Sequence, residues 1–168
     1  KKLDTYTLSL MAIEGETKTL SVLQSIVQEM GLTNIFDVAI KNIASKVSTL
    51  LYNLAECSLD DPTTAHWHRL AVVDTLKDLT CCGMGVPRVS SSLQGNETLF
   101  IRGILIHLYP YILGEKELFV GRCCVCNKRF YKTSRNKMYC TEACSATYRG
   151  MMYRKRKKEN EEQSRKKS

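Results

Sequence analysis

At 168 residues, with 43% hydrophobic and 25% charged side chains, the chain has room for one ordinary core plus a small appendage, but not for two full cores. No apolar run approaches the roughly 20 residues that a membrane span requires, which sets a membrane protein aside. The formal charge of +8 divides unevenly: residues 1–120 carry 10 Lys+Arg against 13 Asp+Glu, a net −3, while residues 121–168 carry 15 against 4, a net +11.

In chain order, residues 5–14 (TYTLSLMAIE) alternate imperfectly and read as a short strand or an extended lead-in. From Thr19 to Met30 the apolar positions Leu20, Leu23, Ile26, Val27 and Met30 recur every three or four residues, which predicts a helix capped by Gly31. A second helix is expected after Thr33, its stripe being Phe36, Ile40, Ile43, Val47, Leu50 and Leu54. Asp61-Pro62 is a helix-start signal, and a third helix follows through Trp67, Leu70, Val73, Leu76 and Leu79 to a stop at Gly83. The Gly-, Ser- and Pro-rich stretch 83–98 reads as a surface loop, with Asn96 capping a fourth helix through Leu99, Ile101, Leu105 and Leu108 that breaks near Pro110. Residues 1–120 are thus expected to form a small helical domain.

That domain shows no catalytic pattern: there is no glycine-rich phosphate loop, nucleophile elbow or paired-carboxylate motif. His66 and His68 are two apart, about 200° around a helix, and so cannot easily share a metal. His107 reads as a core-edge histidine with its ring hydrogen-bonded, and the adjacent Cys81 and Cys82 as buried thiols.

The chemistry is concentrated further on. Of eight cysteines, five lie between residues 123 and 144, an arrangement that suits metal binding in a reducing, intracellular compartment better than a disulfide framework. Cys123-x2-Cys126 and Cys140-x3-Cys144 are two short-spaced pairs separated by thirteen residues. Four thiolates satisfy tetrahedral zinc; the first spacing makes a tight knuckle, and the second puts two sulfurs on one face of a helix start, with Thr141 near its cap. The expected motif is a treble-clef-like finger: knuckle, hairpin, then a helix that donates the last ligand to one structural Zn2+. Cys124 is left as a spare thiol.

Cations surround this motif. Lys128, Arg129, Lys132, Arg135 and Lys137 lie between the cysteine pairs, and Arg149, Arg154, Lys155, Arg156, Lys157 and Lys158 follow them. A continuing helix puts Arg149, Tyr153 and Arg156 on one face, where guanidinium forks can take phosphate oxygens or a guanine edge and the tyrosine can stack. Lys132, Arg135, Lys137, Arg149, Tyr153, Arg154, Lys155 and Arg156 are therefore the candidate nucleic-acid contacts. A Lys/Arg run by itself equally fits a solvated terminus, and Tyr131, Tyr139, Tyr148 and Met152 read mainly as packing around a small metal-centred core.

Cys126-x3-Phe130, the following Ser134-Arg135-Asn136, the second cysteine pair and the ending Tyr153-Arg154-Lys155-Arg156 resemble the CGNR-type zinc finger proteins, bacterial transcription regulators with a helical N-terminal domain. The likeness spans about Cys126 to Arg156. It implies zinc-dependent DNA binding by the finger and regulatory sensing by the helical part. The chain departs from that pattern in having Ser145-Ala146-Thr147 where the family shows Gly-Asn-Arg, and in a shorter gap between the pairs.

Together these readings predict a mainly α protein: a helical domain over 1–120, a finger and basic helix over 121–158, and a charged, disordered tail over 159–168. The expected function is zinc-dependent nucleic-acid binding, on DNA rather than RNA, as a transcription regulator and not an enzyme. The alternatives are a protein-protein adaptor or a viral-type cysteine-rich RNA-binding protein. A protein partner or self-association would use the helical domain. The location would be cytoplasmic in a bacterium and nuclear in a eukaryote.

Overall fold

The computed structural model describes residues 3–32, 37–57, 59, 62–81 and 91–166. The expected Thr33 cap, Phe36, Asp61, Cys82, Gly83 and the side chain of Cys81 lie outside the described residues. The fold is mainly α: the described residues form six helices and one two-stranded sheet, in two compact units that divide between Phe119 and Val120. No described helix is long and apolar enough to cross a membrane.

The first unit opens with α1 (Thr5–Glu14), where the alternation of the sequence suggests a strand or extended segment. The Asp4 carboxylate accepts the Thr7 N–H at 2.7 Å, an N-cap that satisfies one of the donors a helix start leaves open. The residues that α1 buries, Leu8, Met11 and Ala12, are three and four apart, so its inward face follows the helical period once the cap is in place. Ser9 is also buried without penalty: its hydroxyl donates to the Thr5 carbonyl at 2.7 Å and accepts the Phe119 N–H at 2.9 Å.

Gly15 joins α1 to α2 (Glu16–Glu29) with φ +75°, a conformation that a side chain would strain. At the other end of α2 the Gly31 N–H reaches the Gln28 carbonyl and the Leu32 N–H the Val27 carbonyl, both at 3.1 Å. With φ +65° at Gly31, this is the glycine cap that the sequence calls for.

α3 (Asp37–Cys57) is the hub, packing against α1, α2, α4 (Pro62–Cys81) and α5 (Ser91–Ile112). Its Ile40, Ile43, Val47 and Leu50 are buried on the four-and-three stripe read from sequence, and Leu51 and Ala55 widen that stripe. On α4 the buried stripe is Ala65, Val72 and Leu79, while Trp67, Leu70 and Val73 face solvent, Trp67 with 68% of its surface exposed. The expected face therefore fails at Trp67, Leu70 and Val73, whereas Leu76 is half-buried and Leu79 buried, as the sequence reading has them. The seam between α3 and α4 is tied by His68 Nδ1 and Asn53 Oδ1, 2.8 Å apart.

α5 begins at Ser91, so the serines and Asn96 read as loop and cap lie inside a helix; serine is as favourable at a helix start as in a loop. It also runs through Pro110 to Ile112. The Pro110 carbonyl still accepts the N–H groups of Glu115 and Lys116, and the bond that proline forfeits is to Ile106, on the outward side where water can replace it. Phe100, Ile101, Ile104, Leu108 and Tyr111 face the core, while Leu99 and His107 are exposed rather than core or core-edge residues.

Candidate metal centre and basic helix

The second unit starts with β1 (Val120–Arg122) and β2 (Arg129–Tyr131), an antiparallel pair in register Val120↔Tyr131, Gly121↔Phe130, Arg122↔Arg129. The hairpin therefore straddles the first cysteine pair instead of lying between the two pairs, as the sequence suggests. Gly121 is required by packing: a Cβ there would come within 2.8 Å of the Lys132 stem and 3.1 Å of the Phe130 ring. Phe130 is buried, and Lys137 Nζ lies 5.7 Å from its ring centroid.

The hairpin tip is the knuckle. The Asn127 N–H donates to the Cys123 carbonyl and the Cys123 N–H to the Lys128 carbonyl, both at 2.9 Å. Asn127 takes φ +59°, a left-handed conformation that asparagine tolerates better than most residues. The Cys124 N–H donates to the Met138 carbonyl at 3.1 Å, which folds the next loop back toward the knuckle and delivers Cys140. Thr141 then caps α6 (Glu142–Lys166): its Oγ1 accepts the Cys144 N–H at 3.3 Å and its carbonyl the Ser145 N–H at 3.0 Å. Cys144 thus enters from the first turn, where the helix dipole favours negative charge.

These elements bring Cys123, Cys126, Cys140 and Cys144 together, with all four sulfurs within 4.8 Å of one another. Cys126 Sγ is 3.5 Å from Cys140 Sγ, which is 3.7 Å from Cys144 Sγ. A tetrahedron with Zn–S bonds of about 2.3 Å has edges of about 3.8 Å. The donor set and its spacing are those of a single structural zinc site. Cys124, one residue from Cys123, is exposed and outside the cluster.

The Cys126 backbone N–H above all, with those of Val125 and Cys140, holds the Cys123 thiol down at about 6. The Cys126 sulfur foremost, then partial burial and the Cys144 and Cys123 sulfurs, push Cys140 up to about 12, so it keeps its proton at neutral pH. A dication replaces that proton and lets four thiolates coexist.

The cations divide into two groups. Lys132 and Lys137 are half-buried, the Lys132 stem beside Gly121 and the Lys137 amine near the Phe130 ring, and so belong partly to the second unit's own framework. Arg135, Arg149, Arg154, Lys155 and Arg156 are exposed, as is Tyr153 with 71% of its surface. Lys155 Nζ lies 4.0 Å from Glu159 Oε1 in a solvent-exposed pair. Tyr131, Tyr139, Tyr148 and Met152 are half-buried, with the Tyr139 and Tyr148 rings 6.2 Å apart, as the packing reading requires. Where the composition suggests a disordered tail from residue 159, α6 continues to Lys166. Sequence reasoning passes over Arg122, which the ladder sets directly opposite Arg129; only the register makes these two cations neighbours.

The first unit holds a cleft of about 550 Å³ with apolar walls that include Leu54, Val72, Leu76, Tyr111 and Leu118, and with exposed Arg69, Lys116 and Glu117 among its lining. No family model, curated protein or solved structure matches the chain.

Proposed function

We propose that this chain is a zinc-dependent nucleic-acid-binding protein, a DNA-binding transcription regulator whose second unit is a treble-clef-like finger. One observation carries the reading: α6 takes a zinc ligand, Cys144, in its first turn and then carries Arg149, Tyr153 and the unbroken run Arg154 to Lys158 into solvent. Four thiolates close the tetrahedral shell, so the ion in this reading is structural and its task is to fix the root of the helix.

Five consecutive cations at 100° steps surround the helix instead of forming a single stripe. A helix lying on a flat anionic surface would use one side only, whereas one lying in the B-DNA major groove, about 12 Å wide, has phosphates along both flanks. The deep, narrow major groove of A-form RNA does not admit a helix in this way, which favours duplex DNA. The resemblance to CGNR-type fingers agrees, and it implies regulatory sensing by the acidic helical unit, where the 550 Å³ cleft is of a size that takes small ligands. The expected compartment is a reducing, intracellular one.

The test is a salt titration of the zinc-loaded chain against duplex DNA, single strands and RNA. Duplex DNA should bind tightest, with log affinity falling linearly in log salt by about 0.9 per phosphate neutralised. No binding to any of the three at about 50 mM salt, where counterion release is most favourable, sinks the reading.

A further inference from the structure

The outward face of α5 has no partner among the described residues. Leu99, Ile106 and Tyr109 stand in solvent along it and Leu113 one residue past its end, Ile106 with 72% of its surface exposed, and Gly103 adds a gap where a Cβ would meet no described atom within 4 Å. Taken from Ile106, Leu99 and Leu113 lie seven residues before and after, and Gly103 and Tyr109 three before and after. The pattern is a palindrome in which a large residue answers a large one and a tyrosine answers a gap.

In an isologous pair each residue meets the mirror position of the other copy, so about an axis at Ile106 this pattern sets large side chains against each other and tyrosine against glycine. We propose that this face is the contact surface of a homodimer, in which two copies of α5 pack antiparallel about an axis at Ile106.

The geometry supplies both halves of that contact. Arg102, Leu105, Ile106 and Tyr109 line a concavity of about 420 Å³. They occupy positions i, i+3, i+4 and i+7, the four-residue hole that accepts one knob from a facing helix. With the axis at Ile106, the knob opposite this hole is Ile106 of the second copy, and the exchange is reciprocal. Leu99 then meets Leu113, and each Tyr109 ring lies over the bare backbone of Gly103.

Charge complementarity also selects a second copy. Helical side chains lean toward their own N-terminus, so exposed Arg102 reaches toward the position that mirrors residue 98. In an antiparallel pair that position is Gly114, just past the end of α5 of the other copy and next to the exposed carboxylate of Glu115. A contact running from Leu99 to Leu113 is only about 21 Å long, so it falls in the small-interface class that exchanges at micromolar concentration.

The experiment is sedimentation equilibrium of the zinc-loaded full chain up to about 200 µM, in the concentration range of such small interfaces. The parent chain should show a reversible monomer–dimer equilibrium. Ile106→Asp should raise the dissociation constant more than tenfold, with circular dichroism and zinc content unchanged because this side chain already stands in water. Ile106→Cys should give a disulfide-linked dimer that peptide mapping assigns to two copies of residue 106, while Leu99→Cys alone should give none. A chain that stays monomeric, leaving the stripe to an unlike partner, overturns the proposal. So does a dimer indifferent to Ile106→Asp, or a cross-link joining two copies of residue 99.

Discussion

The sulfurs of Cys126 and Cys140 lie 3.5 Å apart although fourteen positions separate them along the chain. The backbone bond from the Cys124 N–H to the Met138 carbonyl folds back the loop between them, so the sulfurs meet because the backbone carries them there. Few apolar groups of the second unit are buried, chiefly Val120 and Phe130, which is too little to hold it together unaided.

Replacing Cys140 by serine should therefore remove the ion and unfold the second unit while leaving the first intact. Metal analysis should fall from one zinc per chain toward none. Circular dichroism should lose about the helix content of α6 and keep that of the other five. Full zinc retention in Cys140→Ser would contradict the four-thiolate site.

Zinc affinity should rise with pH. Cys140, pushed up to about 12, keeps its proton at neutral pH and must release it to bind metal, whereas Cys123, held at about 6, is already largely ionised. Proton and zinc compete for the Cys140 sulfur, so apparent affinity should climb at least about tenfold per pH unit, or 100-fold from pH 6 to 8. Below pH 6 Cys123 also takes up a proton, and the slope steepens. Chelator competition across this window reads the slope directly, and a flat line would refute it.

Leu50 has no exposed surface at the centre of α3. Leu50→Ala should cost about 2–5 kcal/mol by leaving a cavity where α3 meets its neighbours. Urea unfolding should show the loss in the first unit's transition, with zinc content unaffected. A cost below about 1 kcal/mol would mean that α3 is not the hub described.

Charge reversal of Arg149, Arg154 and Arg156 to glutamate should weaken duplex DNA binding and lower the salt slope by about 0.9 for each phosphate that goes unneutralised. Zinc content should be unchanged, because all three side chains are exposed beyond the metal's reach. Equal affinity and slope in the triple variant would move the nucleic-acid surface elsewhere.

Gly31→Ala should destabilise the first unit by about 1 kcal/mol through its left-handed φ, since no described atom lies within 4 Å of the added methyl. Gly31→Asn should cost less, because asparagine visits that region readily. Thermal melts of the two variants compare them directly.

The parts legible in sequence were those set by local rules. The α3 stripe from Ile40 to Leu50 and the Gly31 cap follow from period and φ alone, and the cysteine pairs follow from the geometry a metal imposes. What escaped depended on partners distant in sequence or on competing local signals. α1 carries β-prone threonines and a tyrosine, but the Asp4 cap and the bond from Ser9 to Phe119, 110 residues away, favour the helix. On α4 the expected stripe converges with the buried one at Leu79, but toward the helix start Ala65 and Val72 are buried in place of the larger Trp67, Leu70 and Val73. α5 outlasts Pro110 since only its donor is missing and the exposed side absorbs the defect.

Ser9 has a role that reaches past its own helix. Its hydroxyl accepts the N–H of Phe119, the last residue before the finger begins, and nearby Thr5 is hydrogen-bonded to the Tyr111 hydroxyl. The strap that leads into the zinc unit is thus moored to α1. Clipping off the first fourteen residues, far from any ligand in sequence, would cast that mooring loose while leaving every thiolate in place.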